Sequence, residues 1–192
     1  VVRNMRMLIK NGAIGKIRIV KGSYLQGWLG LKEEDTGLNK QAEWRTDPSR
    51  SGSAGSVGDI GSHTMHLIEF ITGLKLKSVC SDLTTFVSGR KLDDDASIML
   101  RLNNGAKGSL SISQIATGEE NNFSISIYGE KGSLKWSQEN PNYAILSKIG
   151  EADQTITRGG QINFDEANAS IRIPAGHPEG YLEAFAQIYS DV

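Results

Sequence analysis

The chain has 192 residues, with 21 basic against 22 acidic side chains and a formal net charge of −1. That is enough for one domain with a real core, and too balanced for the electrostatic footprint of a nucleic-acid or anionic-membrane binder. Its apolar runs are far too short to span a bilayer, no signal peptide opens the sequence, and the lone Cys80 rules out an internal disulfide, so the expectation is a cytoplasmic protein in a reducing compartment.

Val2, Met5 or Arg6, and Ile9 keep helical spacing up to Gly12, a good helix terminator. Lys16 to Leu29 then alternates like a strand. Gly30 to Gly55 is long, polar and low in periodicity, and carries Trp44 and Arg45; loops of that length are more often functional than idle. A Ser/Gly stretch from Ser51 to Gly58 leads into an apolar helical run that ends near Gly73. From Leu74 onward the pattern is all strand: 76–87, 96–102, 106–115, 123–128, 133–137, 143–146 and 154–158, most of them separated by turn formers. Asn104-Gly105 is the best hairpin signal. Asp93-Asp94-Asp95 reads as a solvated hairpin turn rather than a calcium loop, since the EF-hand spacing and its final Glu are missing. Short strands with tight turns pair antiparallel. The expected fold class is α+β: a large open, mainly antiparallel sheet with helices packed on one face. Near the end, Tyr181, Leu182, Phe185, Ile188, Tyr189 and Val192 trace an apolar helical stripe. With no N-cap before Val1 and a stripe that simply stops, both ends read as cut from a longer protein.

The chemistry concentrates at Gly58-Asp59-Ile60-Gly61-Ser62-His63-Thr64-Met65-His66. On an α-helix, Asp59, His63 and His66 fall at i, i+4 and i+7 and share one face. A carboxylate one turn before an imidazole is a workable general-base pair, because it orients the ring and stabilises its charged form. The plainer alternative is a helix N-terminus capped by Asp59 or Ser56, with two histidines on a half-buried face. A zinc site from the same three residues is disfavoured, since Asp59 and His66 are ~10 Å apart along the helix and Asp is short. Trp44 can stack on a sugar ring and Arg45 can bind hydroxyls or a carboxylate; equally, Trp44 can plug the loop and Arg45 can pair with Asp47 or Glu43. His177 either faces the same pocket or caps the last helix with Glu179. A dinucleotide fingerprint, Gly-x-Gly-x-x-Gly after a buried strand, is absent: Gly52, Gly55, Gly58 and Gly61 recur every third residue behind a polar loop.

Trp44-Arg45-Thr46-Asp47-Pro48, the Ser/Gly loop, and Gly-Asp-Ile-Gly-Ser-His running into Leu67 to Gly73 resemble the glucose–fructose oxidoreductase/inositol dehydrogenase family, and within it the C-terminal, substrate-binding domain. Gly15-Lys16-Ile17, Gly105 to Gly108, Gly129 to Leu134 and Pro174 to Tyr181 extend the resemblance over nearly the whole chain. It implies a single domain over 1–192 from a longer NAD- or NADP-dependent oxidoreductase acting on a sugar, polyol or inositol-like alcohol. The cofactor would be held mainly by a domain N-terminal to Val1, which would also carry the family's Glu-Lys-Pro lysine. His63 would be the acid/base and Asp59 its substrate-contacting neighbour, with Trp44, Arg45 and His177 as substrate-binding candidates and no metal. Homo-oligomers through the open sheet face are expected. The alternatives are a silent sugar-binding or oligomerisation domain, and a metal-dependent hydrolase built on Asp59, His63 and His66.

Overall fold

Eight strands make one sheet in a computed structural model that describes residues 1–192: β1 Ile17–Leu25, β2 Leu76–Thr84, β3 Asp95–Leu102, β4 Lys107–Ser113, β5 Asn122–Gly129, β6 Gly132–Ser137, β7 Tyr143–Lys148 and β8 Gln154–Thr157. Their order is β2-β3-β4-β1-β5-β6-β7-β8. Strands adjacent in sequence pair antiparallel, as short turns require. β1 is the exception: it enters the middle of the sheet, antiparallel to β5 and parallel to β4. The long excursion that follows β1 supplies the crossover a parallel neighbour needs.

The alternation decides the faces. On β3, Ala96, Ile98, Leu100 and Leu102 point inward, while Ser97, Met99 and Arg101 are exposed. Phe123, Ile125 and Ile127 do the same on β5. Two helices cover this inner face, α1 (Val2–Lys10) through Met5 and Leu8, and α4 (Ser62–Thr72) through Thr64, Ile68 and Ile71. Each fully buried Ile or Leu contributes ~1.5–3 kcal/mol by leaving water. α4 sits unusually close to β1, because a Cβ on Gly22 would lie 2.6 Å from the Thr64 methyl. The opposite face is bare and polar at its centre, where Ser97, Ser111, Ser23, Ser124 and Ser137 lie in register across five strands. The fold is α+β with the core on one side of the sheet.

The 30–55 segment is more ordered than its sequence pattern indicates. It forms a 3-10 turn at Glu33–Thr36, α2 (Lys40–Arg45) capped by Asn39, and α3 (Pro48–Ser51) capped by Asp47. Helices of one or two turns are too short to show an apolar period, so the segment reads as a loop in sequence.

The acidic run is not solvated, contrary to expectation. Asp93 accepts hydrogen bonds from the N–H of Gly55 (2.7 Å), the Ser56 hydroxyl (2.8 Å) and the N–H of Val57 (2.8 Å). Asp94, 2% exposed, takes the N–H groups of Phe86 (2.8 Å) and Val87 (3.0 Å). Arg90 reaches Asp94 at 3.6 Å, binds Glu34 at 2.8 Å, and donates to the carbonyls of Leu29 and Leu31, both at 2.7 Å. These carboxylates saturate the donors of two loops, which is why Asp94 is buried and Asp93 half-buried.

After β8 the chain continues through α5 (Asp165–Asn168) to α6 (Tyr181–Asp191), whose apolar side chains remain exposed. Arg158, 7% exposed, secures this passage by donating to the carbonyls of Ile173, Pro174 and His177 and pairing with Glu179 at 2.9 Å. No helix is long and apolar enough to cross a membrane.

Candidate functional site

An open cleft of about 420 Å³ lies where β1 runs out, lined by Tyr24, Gln26, Trp28, Asn39, Gln41, Arg45, Asp59, Ile60 and His63. Three pieces of chain converge there. The first is β1 and its continuation, where Tyr24, Gln26 and Trp28 recur every second residue and so share a side. The second is α2, which brings Gln41 and Arg45. The third is the Ser/Gly loop, which enters α4 through a π turn at Val57–Gly61. Asp93 anchors that entry from the far side, occupying the N–H groups that a helix start leaves free.

The π turn alters the expected arrangement of Asp59 and His63. Within it the Ser62 N–H bonds to the Val57 carbonyl five residues back, one more than an α-helix takes. No hydrogen bond joins Asp59 to His63. Instead Asp59 Oδ2 accepts from Arg45 Nε at 2.7 Å and from Gln114 Nε2 at 2.8 Å. The guanidinium is the stronger partner because its bond is charge-assisted. Both bonds fall on Oδ2, and Oδ1 has no intramolecular donor. Arg45 also donates through Nη1 to Gln41 and lies 4.4 Å over the Trp44 ring. The alternative in which Arg45 pairs with Asp47 or Glu43 is therefore not realised, its partner being Asp59, and Asp59 does not cap the helix.

His63 is exposed on the first turn of α4, its ring 6.4 Å from that of Tyr24 and tilted by 50°. Tyr24 stacks flat on Phe123 at 4.6 Å and donates to Asn121 Oδ1 at 2.8 Å. Burial pushes its phenol above the ordinary tyrosine range, so it stays neutral and a donor at physiological pH. Gln26 shares the same acceptor at 2.9 Å and receives the Trp28 indole N–H at 3.0 Å. The floor is thus a connected row of aromatic and amide groups.

The structure brings together Asp59, His63 and Arg45 of the sequence candidates. His66 points elsewhere, exposed and 6.3 Å from the Phe70 ring, so the one-face reading of the three residues fails. Trp44 supports Arg45 from behind and does not line the cleft, and His177 lies on the loop held by Arg158 and does not line it either. Gln114, 3% exposed, was missed: nothing local marks a strand-end glutamine as the partner of a carboxylate 55 residues away. Tyr24, Gln26 and Trp28 did carry a signal, since polar and aromatic groups at i, i+2 and i+4 on a strand end mark one wall. No three of the His, Cys, Asp and Glu side chains converge as metal ligands. The Ser/Gly loop makes no phosphate cradle, because its amides already hold Asp93.

The profile of the GFO/IDH/MocA C-terminal domain matches residues 2–135. The chain belongs to that family. It is 35% identical over 187 residues to the uncharacterised oxidoreductase YfiI of Bacillus subtilis, covering 96% of this chain and 47% of that protein. It is 29% identical over 174 residues to a levoglucosan dehydrogenase of Pseudarthrobacter phenanthrenivorans, covering 79% and 42% respectively. The fold superposes on an inositol dehydrogenase homolog from Azotobacter vinelandii, solved with NAD+, at a TM-score of 0.93 and 30% identity, covering 98% of this chain and 48% of that one. The chain therefore spans about half the length of the curated relatives it matches, and corresponds to their C-terminal part. These relatives are oxidoreductases.

Proposed function

We propose that residues 1–192 form the substrate-binding domain of an NAD(P)-dependent oxidoreductase acting on a sugar, polyol or inositol-like alcohol, with His63 as the acid/base. One observation carries this reading: an exposed imidazole and a clamped carboxylate line the same amide-rich cleft, in a chain whose relatives are dehydrogenases. With its amides taken by Asp93, the Ser/Gly loop offers no cradle to the pyrophosphate of a dinucleotide, which we assign to a preceding domain, so that only the nicotinamide end would face the cleft. The bound nicotinamide supplies the hydride acceptor.

The residues of this chain then divide the work. His63 takes the proton of the substrate hydroxyl as the carbon that bears it gives up a hydride. Asp59 Oδ1 accepts a hydrogen bond from a neighbouring hydroxyl, and the Arg45 and Gln114 bonds to Oδ2 hold the carboxylate in place. Trp28 and Tyr24 offer apolar surface to the ring of the substrate. The bare sheet face, which exposes Ile19 and Met99 beside its row of serines, supports association of two copies sheet to sheet; light scattering of a monomer at high concentration would count against that.

Kinetics of the full-length enzyme test the assignment. His63→Ala should slow the chemical step by about 10²–10⁴-fold, with unchanged stability, because the side chain is exposed. Asp59→Asn should fall between His63→Ala and His66→Ala. Equal damage from His66→Ala, with zinc restoring a stripped enzyme, would replace this reading with the metal one.

A further inference from the structure

The walls of the cleft differ in what they leave unpaired. Along α2, each side-chain oxygen that lines it is already engaged. Asn39 Oδ1 accepts from the N–H of Ala42 at 3.1 Å, and Gln41 Oε1 accepts from Arg45 Nη1 and from the Trp44 indole at 3.3 Å. What this wall has left over is donors only: Asn39 Nδ2, Gln41 Nε2 and Arg45 Nη2 have no acceptor within the chain. Lys40, between two lining residues, is exposed and in no ion pair, so its charge is available at the rim. The floor is self-contained, because Tyr24 and Gln26 both donate to Asn121 Oδ1 and Gln26 Oε1 holds the Trp28 indole. The carboxylate oxygen without a donor, Asp59 Oδ1, lies beyond the guanidinium, whose Nε holds Asp59 Oδ2 and whose Nη1 holds Gln41.

We propose that the α2 wall is an oxyanion subsite: the substrate carries a carboxylate or phosphate bound by Asn39 Nδ2, Gln41 Nε2 and Lys40 Nζ, while its reacting hydroxyl lies at Asp59 and His63. A hydroxyl both donates and accepts, so a donor-only wall uses half of it, whereas a carboxylate or phosphate oxygen only accepts. Bonds to an ionised acceptor are also about twice as strong as neutral ones. Asp59 is the one carboxylate that lines the cleft, and at 2.7 Å it offsets the Arg45 charge, so the net positive charge of the wall is that of Lys40. On the Glu33–Thr36 turn before α2, Arg90 holds Glu34 and Lys32 holds Asp35; neither they nor Glu33 line the cleft. Glu43 falls on the side of α2 opposite Gln41 and Arg45.

The inference rests on the reading of this cleft as a substrate site, and binding separates the two. Calorimetry on the full-length enzyme with oxidised cofactor would titrate glucose against glucose 6-phosphate and glucuronate, and myo-inositol against its 1-phosphate. The same titrations on His63→Ala, which is inactive in the proposed mechanism, proceed without reaction. At least one anionic ligand should bind ~10-fold or more tighter than its neutral parent, and added salt should shrink that margin. The phosphate and carboxylate arms tell which oxyanion the wall takes. Gln41→Glu keeps the oxygen that Arg45 and Trp44 use and removes the donor, and Asn39→Asp does the same while preserving the α2 cap. Each should weaken the anion by ~10-fold with little change for the neutral parent. Lys40→Ala should weaken it by ~3-fold, since an exposed charge contributes less. An anion preference alongside an active His63→Ala enzyme would sink the acid/base assignment and leave the oxyanion subsite standing. Neutral parents binding as tightly as every anionic counterpart, a preference that survives Gln41→Glu and Lys40→Ala together, or failure of the whole panel to bind at millimolar concentration would overturn the inference.

Discussion

Two arginine–carboxylate sites flank one small gap lined by Arg45, Thr46, Gly55, Arg90, Asp93, Asp94 and Gln114, and they are built to opposite ends. At the first, Arg90 and Asp94 are almost completely buried, and every partner belongs to the chain itself: the carbonyls of Leu29 and Leu31, the N–H groups of Phe86 and Val87, and Glu34. At the second, Arg45 and Asp59 keep about a quarter of their side-chain surface exposed, at 25% and 28%, and one carboxylate oxygen remains unclaimed. The same chemical pair thus acts once as an internal fastener and once as a rim. Complete burial makes the first pair dependent on saturation, since an uncompensated buried charge is very costly. Partial exposure leaves the second weakly stabilising but free to meet a ligand.

Arg90→Ala should show the largest effect. It strands Asp94 and Glu34 and orphans two carbonyls, so chemical denaturation should register a loss of ~3–5 kcal/mol. A loss below about 1 kcal/mol would erase the contrast between the sites. Asp93→Ala comes next, removing three hydrogen bonds to an ionised acceptor that anchor the entry to α4, at ~1.5–3 kcal/mol. Because Asp93 holds the loop that delivers Asp59 and His63, substrate binding should weaken along with stability.

A pH test sharpens the difference further. Burial alone would raise the Glu34 carboxyl, but its hydrogen bonds and the Arg90 charge outweigh this and hold it below the ordinary glutamate range. A depressed folded-state value means stability that is present above the unfolded value and lost as pH falls through the folded one. The stability gap between wild type and Glu34→Gln should therefore be widest near neutrality and close in acid, as thermal melts across that range would show. The smallest stability effect belongs to the cleft pair: Asp59→Asn should cost below about 1 kcal/mol in denaturant while altering ligand binding. A cost as large as that of Arg90→Ala would make Asp59 a structural fastener after all.

Much of the molecule follows from local pattern. Period-two alternation placed β3 to β8 within a residue or two, Asn104-Gly105 marked the tight turn between β3 and β4, and Gly73, with φ of 69°, ended α4 where expected. Alternation reports on burial of one face, and turns report on φ, so both are written in neighbouring residues. The parallel insertion of β1 between β4 and β5 was not legible, because no local pattern tells a strand which partner lies nearly ninety residues away. Nor were α2 and α3, too short for a period to develop.

At the cleft the same division holds. The sequence by itself determined that a carboxylate and an imidazole stand one turn apart at the mouth of an apolar helix behind a glycine-rich loop, and that no dinucleotide fingerprint accompanies them. Only the tertiary structure decided their partners. The π turn took Asp59 out of the α register of the helix that carries His63 and His66, and Arg45 and Gln114 claimed Asp59 from two other elements. Asp93 and Asp94, which read as solvated, were drawn inside because two loops had unpaired N–H groups to satisfy. Backbone periodicity is a property of neighbours along the chain, whereas the pairing of a buried charge is settled by whatever donors the fold carries to it.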